Sequence, residues 1–221
     1  MNSFDIIGPI MVGPSSSHTA GAVKIGNISR RLLGEPIRRA EITFHGSFLA
    51  TGKGHGTDKA LIAGLLGFAV DDSRIADSFR YADESGMLYH LTGGDLGDIH
   101  PNSVKLYLTG IGGRTIQIIG ASVGGGAIQI TEIDGLPAHF SGSYPTLVVN
   151  HEDKPGQVYE ITSMLGRLNV NIAAMQMYRS TKGGNAVTIL ECDQAIPEDA
   201  ITQLSYQGSI TKVTYLSLAD E

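Results

Sequence analysis

The sequence predicts an α+β protein of two domains, and three observations carry that expectation. Helical periodicity alternates with a strand early in the chain and then gives way to β alternation as far as Phe140. Ser141-Gly142-Ser143-Tyr144-Pro145 is small, polar and Pro-terminated, as a linker should be. Beyond it the pattern closes on itself in the order βαββαβ. At 221 residues the chain has room for one large domain or two small ones. The boundaries read as 1–143 and 146–221.

Residues 16–34 form the first predicted helix, because Ala20, Val23, Ile28 and Leu32 make one apolar stripe. Arg30 and Arg31 suit its last turns, and Gly34-Glu35-Pro36 stops it. Residues 41–48 alternate as a strand with Ile42, Phe44 and Phe48 inward. Thr57 is placed to cap a helix from Asp58 to about Phe68, packed through Leu61, Leu65 and Phe68. A shorter helix is expected from Asp72 to Ala82. Val104, Leu106 and Leu108 then alternate against Lys105, Tyr107 and Thr109, Gly112-Gly113 turns the chain, and Thr115 to Ile119 returns. Ala127 to Ile133 and Leu136 to Phe140 make a hairpin around Asp134-Gly135. The first sheet is therefore mainly antiparallel.

After the linker, a strand from Thr146 to Asn150 leads through Pro155-Gly156 into a helix carrying Val158, Ile161, Leu165 and Leu168 on one face. Strands Asn171 to Arg179 and Ala186 to Cys192 flank a hairpin at Lys182-Gly183-Gly184-Asn185. A helix opens at Pro197, a favourable first helical position, and a strand from Ile210 to Leu216 ends the unit. The βαββαβ order is the split-βαβ, ferredoxin-like arrangement.

Composition narrows the function classes. The net charge of −6 argues against nucleic acid or an anionic membrane as the main partner. The longest apolar run, Ala60 to Val70, is broken by Gly64 and Gly67 and is too short to span a bilayer. The N-terminus carries Asp5 and no basic segment, so a cytoplasmic location is expected. The single cysteine, Cys192, rules out an internal disulfide or a cluster built on this chain's cysteines. No His, Cys, Asp and Glu spacing matches a zinc or calcium site, so no metal ligand is assigned here. Glycine is the outlier at 29 residues, about twice the usual share.

Those glycines concentrate in two loops that each hold a histidine ahead of a helix. They are Gly13-Pro14-Ser15-Ser16-Ser17-His18-Thr19-Ala20-Gly21 and Gly52-Lys53-Gly54-His55-Gly56-Thr57-Asp58. Backbone amides in such loops, next to a helix N-terminus and hydroxyl side chains, suit a small carboxylate. Ser15, Ser16, Ser17, His18 and Thr19 are the candidate substrate cradle; the plain alternative is a helix cap, which needs only one serine. His55, between two glycines, is the leading candidate for proton transfer, against a surface-loop histidine. Lys53 is an auxiliary anion contact or a solvated side chain. His100, held extended before Pro101, is a second catalytic candidate, with Asn102 to orient it or bind substrate. Gly124-Gly125-Gly126 reads as a turn or as backbone approaching a ligand.

Two resemblances add to this reading. Residues 146–217 resemble an ACT domain, an amino-acid-sensing module, through Asp153-Lys154-Pro155-Gly156 and Asn169-Val170-Asn171-Ile172. In the first half, Gly13 to Thr19, then Gly46-Ser47 leading to Thr51-Gly52-Lys53-Gly54-His55-Gly56-Thr57-Asp58, then His100-Pro101-Asn102, then Gly124-Gly125-Gly126, resemble the iron–sulfur-dependent L-serine dehydratases in that order. The chain as a whole is similar to the β chain of their two-chain form, and its first domain to the allosteric substrate-binding domain of some phosphoglycerate dehydrogenases. The resemblance implies conversion of L-serine to pyruvate and ammonia, a [4Fe–4S] cluster held by cysteines of a partner α chain, and no activity without that chain. It also implies an ACT ligand loop at Asp153 and Gly156, with self-association through the ACT domain. The competing readings are a non-catalytic, amino-acid-binding regulatory subunit and a pure assembly subunit.

Overall fold

The computed structural model describes residue 13 and residues 15–216. Pro14 of the first glycine-rich motif, Asp5 and the rest of 1–12, and 217–221 lie outside the described residues. The chain falls into two compact units, 1–135 and 136–221.

In the first unit the predicted opening helix is two structures in series. A π-helical turn, Ser16–Ala20, runs directly into α1 (Gly21–Leu33), which ends at Gly34 in the left-handed conformation with φ 77°. Val23, Ile25, Ile28 and Leu32 are buried along its inner face. α1 crosses α4 (Thr57–Leu66) with backbone against backbone. A Cβ on Gly26 would lie 2.6 Å from the Leu61 carbonyl oxygen, and one on Gly64 would lie 2.1 Å from that of Val23. Only glycine fits at either position.

Between them runs β1 (Ile37–Phe44), which starts and stops earlier than the alternation predicts. The predicted strand end at Ser47 and Phe48 is instead α2 (Gly46–Ala50). The cause lies outside the segment: Gly46 turns left-handed at φ 53°, and the Ser47 amide donates to the Pro101 carbonyl at 2.7 Å. Phe48 is still buried, but from a helix. The second glycine-rich loop is likewise a short helix, α3 (Gly52–His55). Gly56 holds the cap position of α4 that Thr57 is predicted to fill. Thr57 sits inside the helix, its hydroxyl buried and unpartnered.

The helix expected from Asp72 divides into a 3₁₀ turn, Ser73–Asp77, and α5 (Ser78–Glu84). Asp72 caps the turn by accepting the Arg74 amide at 2.8 Å. β2 (Leu88–Gly93) is absent from the elements that periodicity predicts; it pairs parallel with β1. The remaining strands, β3 (Ser103–Gly110), β4 (Thr115–Gly124) and β5 (Ala127–Ile133), pair antiparallel, giving the order β2-β1-β3-β4-β5 within this unit. Ile42, Leu106, Leu108, Ile118 and Ile130 are buried along these strands, and α1 packs on β4. Asp134 and Gly135, at φ 50° and 78°, make the predicted tight turn.

The second unit opens with β6 (Leu136–Phe140) and continues as β7 (Thr146–Glu152), α6 (Gln157–Arg167), β8 (Ile172–Arg179), β9 (Asn185–Cys192), α7 (Glu198–Ser205) and β10 (Ile210–Leu216). Its antiparallel sheet runs β10-β7-β9-β8, the order of a ferredoxin-like unit. Leu147, Val149, Leu190 and Cys192 from the sheet meet Ile161, Met164 and Leu165 of α6 and Ala200 and Leu204 of α7. Pro197 stands one residue outside α7, as its cap.

Candidate active site

The two glycine-rich segments converge on one another. Ser15 is extended, at φ −141°, and its hydroxyl accepts the His18 amide at 3.2 Å, so it does cap the turn. The π geometry, in which the Gly21 amide reaches back to the Ser16 carbonyl, adds one residue relative to an α-helical turn, and such insertions recur at functional sites. Here it presents His18 to α2 and α3. The His18 and His55 rings stand with centroids 4.8 Å apart at 38°, and the Phe48 ring lies 5.4 Å from His18. Thr19, buried at 2 % exposure, donates through Oγ1 to the His55 carbonyl at 3.4 Å. Its side chain serves to tie the two segments together.

Hydroxyls surround His18. Its Nδ1 lies 3.4 Å from Ser15 Oγ, and its Nε2 lies 3.0 Å from Thr51 Oγ1 and 3.3 Å from Ser47 Oγ. His55 Nδ1 is 3.1 Å from the Thr51 carbonyl oxygen. A carbonyl can only accept, so Nδ1 of His55 carries a proton, and Nε2 is the nitrogen left to offer a lone pair. Burial pushes the His18 pKa below the ordinary histidine value; positive charge on His55 adds to this, and the Ser47 backbone partly opposes it. Two neighbouring rings thus disfavour double protonation. One neutral and one proton-accepting imidazole is the arrangement that acid–base work at neutral pH requires.

Lys53 is exposed on α3 and borders an adjacent cavity of about 180 Å³. Phe48, Leu49, Asp58 and Leu91 also line that cavity, and Phe48 is the wall it shares with His18. Ser16 and Ser17 are half-buried on the π turn. His100 is exposed, and its Nδ1 accepts the Asn102 amide at 3.1 Å, so its neutral ring bears the proton on Nε2. The His100–Asn102 segment reaches the site through backbone, by the Pro101 carbonyl that receives the Ser47 amide; the Asn102 carbonyl accepts the Ser122 amide at 3.0 Å. Gly124, Gly125 and Gly126, all with positive φ, link β4 to β5.

In the second unit Asp153 accepts from Arg179 at 2.8 Å and from the Gly183 amide at 2.9 Å. The Gly183 amide, then Arg179, holds its pKa below the usual carboxylate range. Gly156 caps α6 at φ 92° with open space where a side chain would project. Ser47 and Thr51 are the site residues that reading the sequence position by position leaves unassigned. Their i,i+4 spacing around a short helix is the signal that would have found them.

A serine dehydratase beta chain model matches residues 3–93, and an ACT domain model matches residues 146–208. The chain is 42% identical over 219 residues to the L-serine dehydratase beta chain of Peptoniphilus asaccharolyticus, covering 98% of each. It is 39% identical over 214 residues to the probable L-serine dehydratase beta chain of Bacillus subtilis, covering 97% of each. The chain belongs to the L-serine dehydratase β-chain family. A D-3-phosphoglycerate dehydrogenase of Synechocystis shares 28% identity across 86% of this chain and 34% of its own length.

A [4Fe–4S] cluster, held through cysteine thiolates, does not fit the donor set of this family member. Its one cysteine, Cys192, is buried in the apolar core of the second unit, where burial pushes the thiol up to about 11. Among the described residues no three His, Cys, Asp or Glu side chains gather as a metal site. Among them, too, no helix is long and apolar enough to cross a membrane.

Proposed function

We propose that this β chain acts with an α chain to convert L-serine into pyruvate and ammonia, and that its own contribution is a proton-transfer pair on a hydroxyl-rich cradle. The observation that carries the reading is the His18–His55 pair: two rings 4.8 Å apart, with His55 Nε2 presenting a free lone pair. Relatives similar over nearly their whole length, named as L-serine dehydratase chains, support the substrate and do not favour a regulatory subunit without catalysis.

The chemistry asks for removal of the weakly acidic α-proton and departure of the β-hydroxyl. Taken together these release water and leave an enamine, which hydrolyses to pyruvate and ammonia. His55 Nε2 is the proton acceptor, and His18, kept neutral beside it, leaves room for the charge that His55 gains. Ser15, Ser16 and Ser17 form the turn that receives the substrate carboxylate, Thr19 holds that turn against His55, and Lys53 is a further cation at the edge. His100 enters as a neutral Nε2–H donor, steadied by the Asn102 amide. The [4Fe–4S] cluster belongs to the α chain in this reading, since four cysteine ligands are not present here. The domain boundary read from the sequence, 1–143 and 146–221, falls one strand later than the division into compact units at 135/136, and the enzyme is cytoplasmic. The second domain self-associates through its sheet edge and takes a small ligand near Asp153 and Gly156.

Serine-dependent pyruvate formation, measured anaerobically for this chain alone and with its α partner, tests the reading. Turnover is expected only for the complex. Turnover and a stoichiometric four-iron cluster on the isolated chain would overturn it.

A further inference from the structure

Thr51 touches both histidines with different atoms, its carbonyl oxygen and its hydroxyl. Its carbonyl oxygen accepts from His55 Nδ1 at 3.1 Å. Its hydroxyl lies 2.9 Å from the Ser47 carbonyl oxygen, which has no proton to offer, so the Thr51 hydroxyl proton points there. The same Oγ1 lies 3.0 Å from His18 Nε2. When that proton is given to Ser47, Oγ1 accepts and His18 donates from Nε2. Nδ1 of His18 is then the acceptor, facing Ser15 Oγ at 3.4 Å, while that same oxygen accepts the His18 amide. The chain of polarities is self-consistent from Ser15 to His55.

We propose that Thr51 is a positioning residue that sets the tautomers of both histidines, His18 as Nε2–H and His55 as Nδ1–H, so that the free lone pair of the pair is His55 Nε2. The inference rests on the reading of His55 as proton acceptor. Thr51 stands at the junction of α2 and α3, where it is the last residue before Gly52. The short helix after β1 makes both contacts possible.

The test is spectroscopic and kinetic on the full-length chain and its complex. Two-bond ¹⁵N–¹H couplings of histidine-labelled protein report each ring's tautomer directly. The expected wild-type result is Nε2–H at His18 and Nδ1–H at His55. In Thr51→Val the His18 Nε2–H loses its nearest acceptor, so His18 should become a tautomer mixture while His55 keeps its carbonyl partner. Turnover of that complex should fall about 10- to 100-fold, the effect of misplacing a reacting group by about an ångström. Thr51→Ser, which keeps the hydroxyl, should restore both the tautomer and a rate close to wild type. A wild-type His18 protonated at Nδ1, or a His18 signal unchanged in Thr51→Val, overturns the proposal whether or not the variant complexes are active. A normal rate for Thr51→Val beside a collapsed rate for His55→Ala overturns it and leaves the His55 reading standing. Normal rates for both overturn that reading and the proposal with it.

Discussion

His18 in the first unit and His151 in the second are both held at each ring nitrogen by oxygen atoms, yet their surroundings differ. His151 is 1 % exposed, its Nδ1 donating to the Glu152 carbonyl at 2.8 Å and its Nε2 lying 2.8 Å from Thr188 Oγ1. Its partners come from β7 and β9, adjacent strands of the second unit's sheet. His18 is half-buried, its oxygen partners come from the cap of its own turn and from α2 and the residue that closes it, and a second imidazole stands beside it. Hydrogen bonding alone therefore does not mark a functional histidine. The two differ in partial exposure, in a titratable neighbour, and in contacts at 3.0 to 3.4 Å rather than 2.8 Å. A fully satisfied buried ring joins two strands of a sheet; on the proposed reading, a partly exposed ring beside a second imidazole serves proton transfer.

Substitutions can break this comparison. Of these two rings the larger effect on turnover is expected at His18: His18→Ala in the reconstituted complex should lower turnover about 100-fold, at the lower end for acid–base partners, with the second unit's fold unchanged. Steady-state pyruvate formation and circular dichroism report the two halves of that statement. At His151 the expectation is reversed. His151→Ala strands the buried Thr188 hydroxyl and should destabilise by about 1–3 kcal/mol, while turnover per folded molecule stays near wild type. Denaturant unfolding beside rate measurements decides it; a selective loss of rate would erase the distinction drawn between the two rings.

A smaller effect sharpens the contrast. His18 has a folded-state pKa below the ordinary histidine value of 6.5. In the pH window between the two values the unfolded chain binds more protons than the folded one, so stability rises with pH across it. Acidifying from above 6.5 into that window should lower the unfolding midpoint, and the dependence should shrink in His18→Asn. An unchanged pH slope in His18→Asn would mean that the folded chain does not hold His18 neutral.

The location of each physical cause decides how much was legible in the sequence. α1 with its Gly34 stop, the turn at Asp134-Gly135 and the order of the second unit were all readable, because periodicity and turn chemistry act locally. That each glycine-rich segment bears on function was suggested by composition, but not that the two meet or that their rings would stand side by side. Ser47 and Thr51 were hidden for a definite reason. The alternation from Ile42 to Phe48 runs through Gly46, and only the Pro101 backbone, far along the chain, turns that glycine and makes a helix of Gly46–Ala50. β2 escaped because it is an edge strand with Leu88 62 % exposed, so burial imposes no clean alternation on it.

The proton-transfer assignment has one most direct measurement: anaerobic turnover of L-serine by the assembled complex carrying His55→Ala, beside the same complex carrying His100→Ala, with iron content and assembly checked for each. Loss of about 10²- to 10⁴-fold is expected at His55, the usual range for a general acid or base, with a smaller loss at His100, whose ring offers only a neutral donor. A near wild-type rate for His55→Ala with a collapsed rate for His100→Ala would contradict the account and move the proton acceptor to the loop ahead of β3.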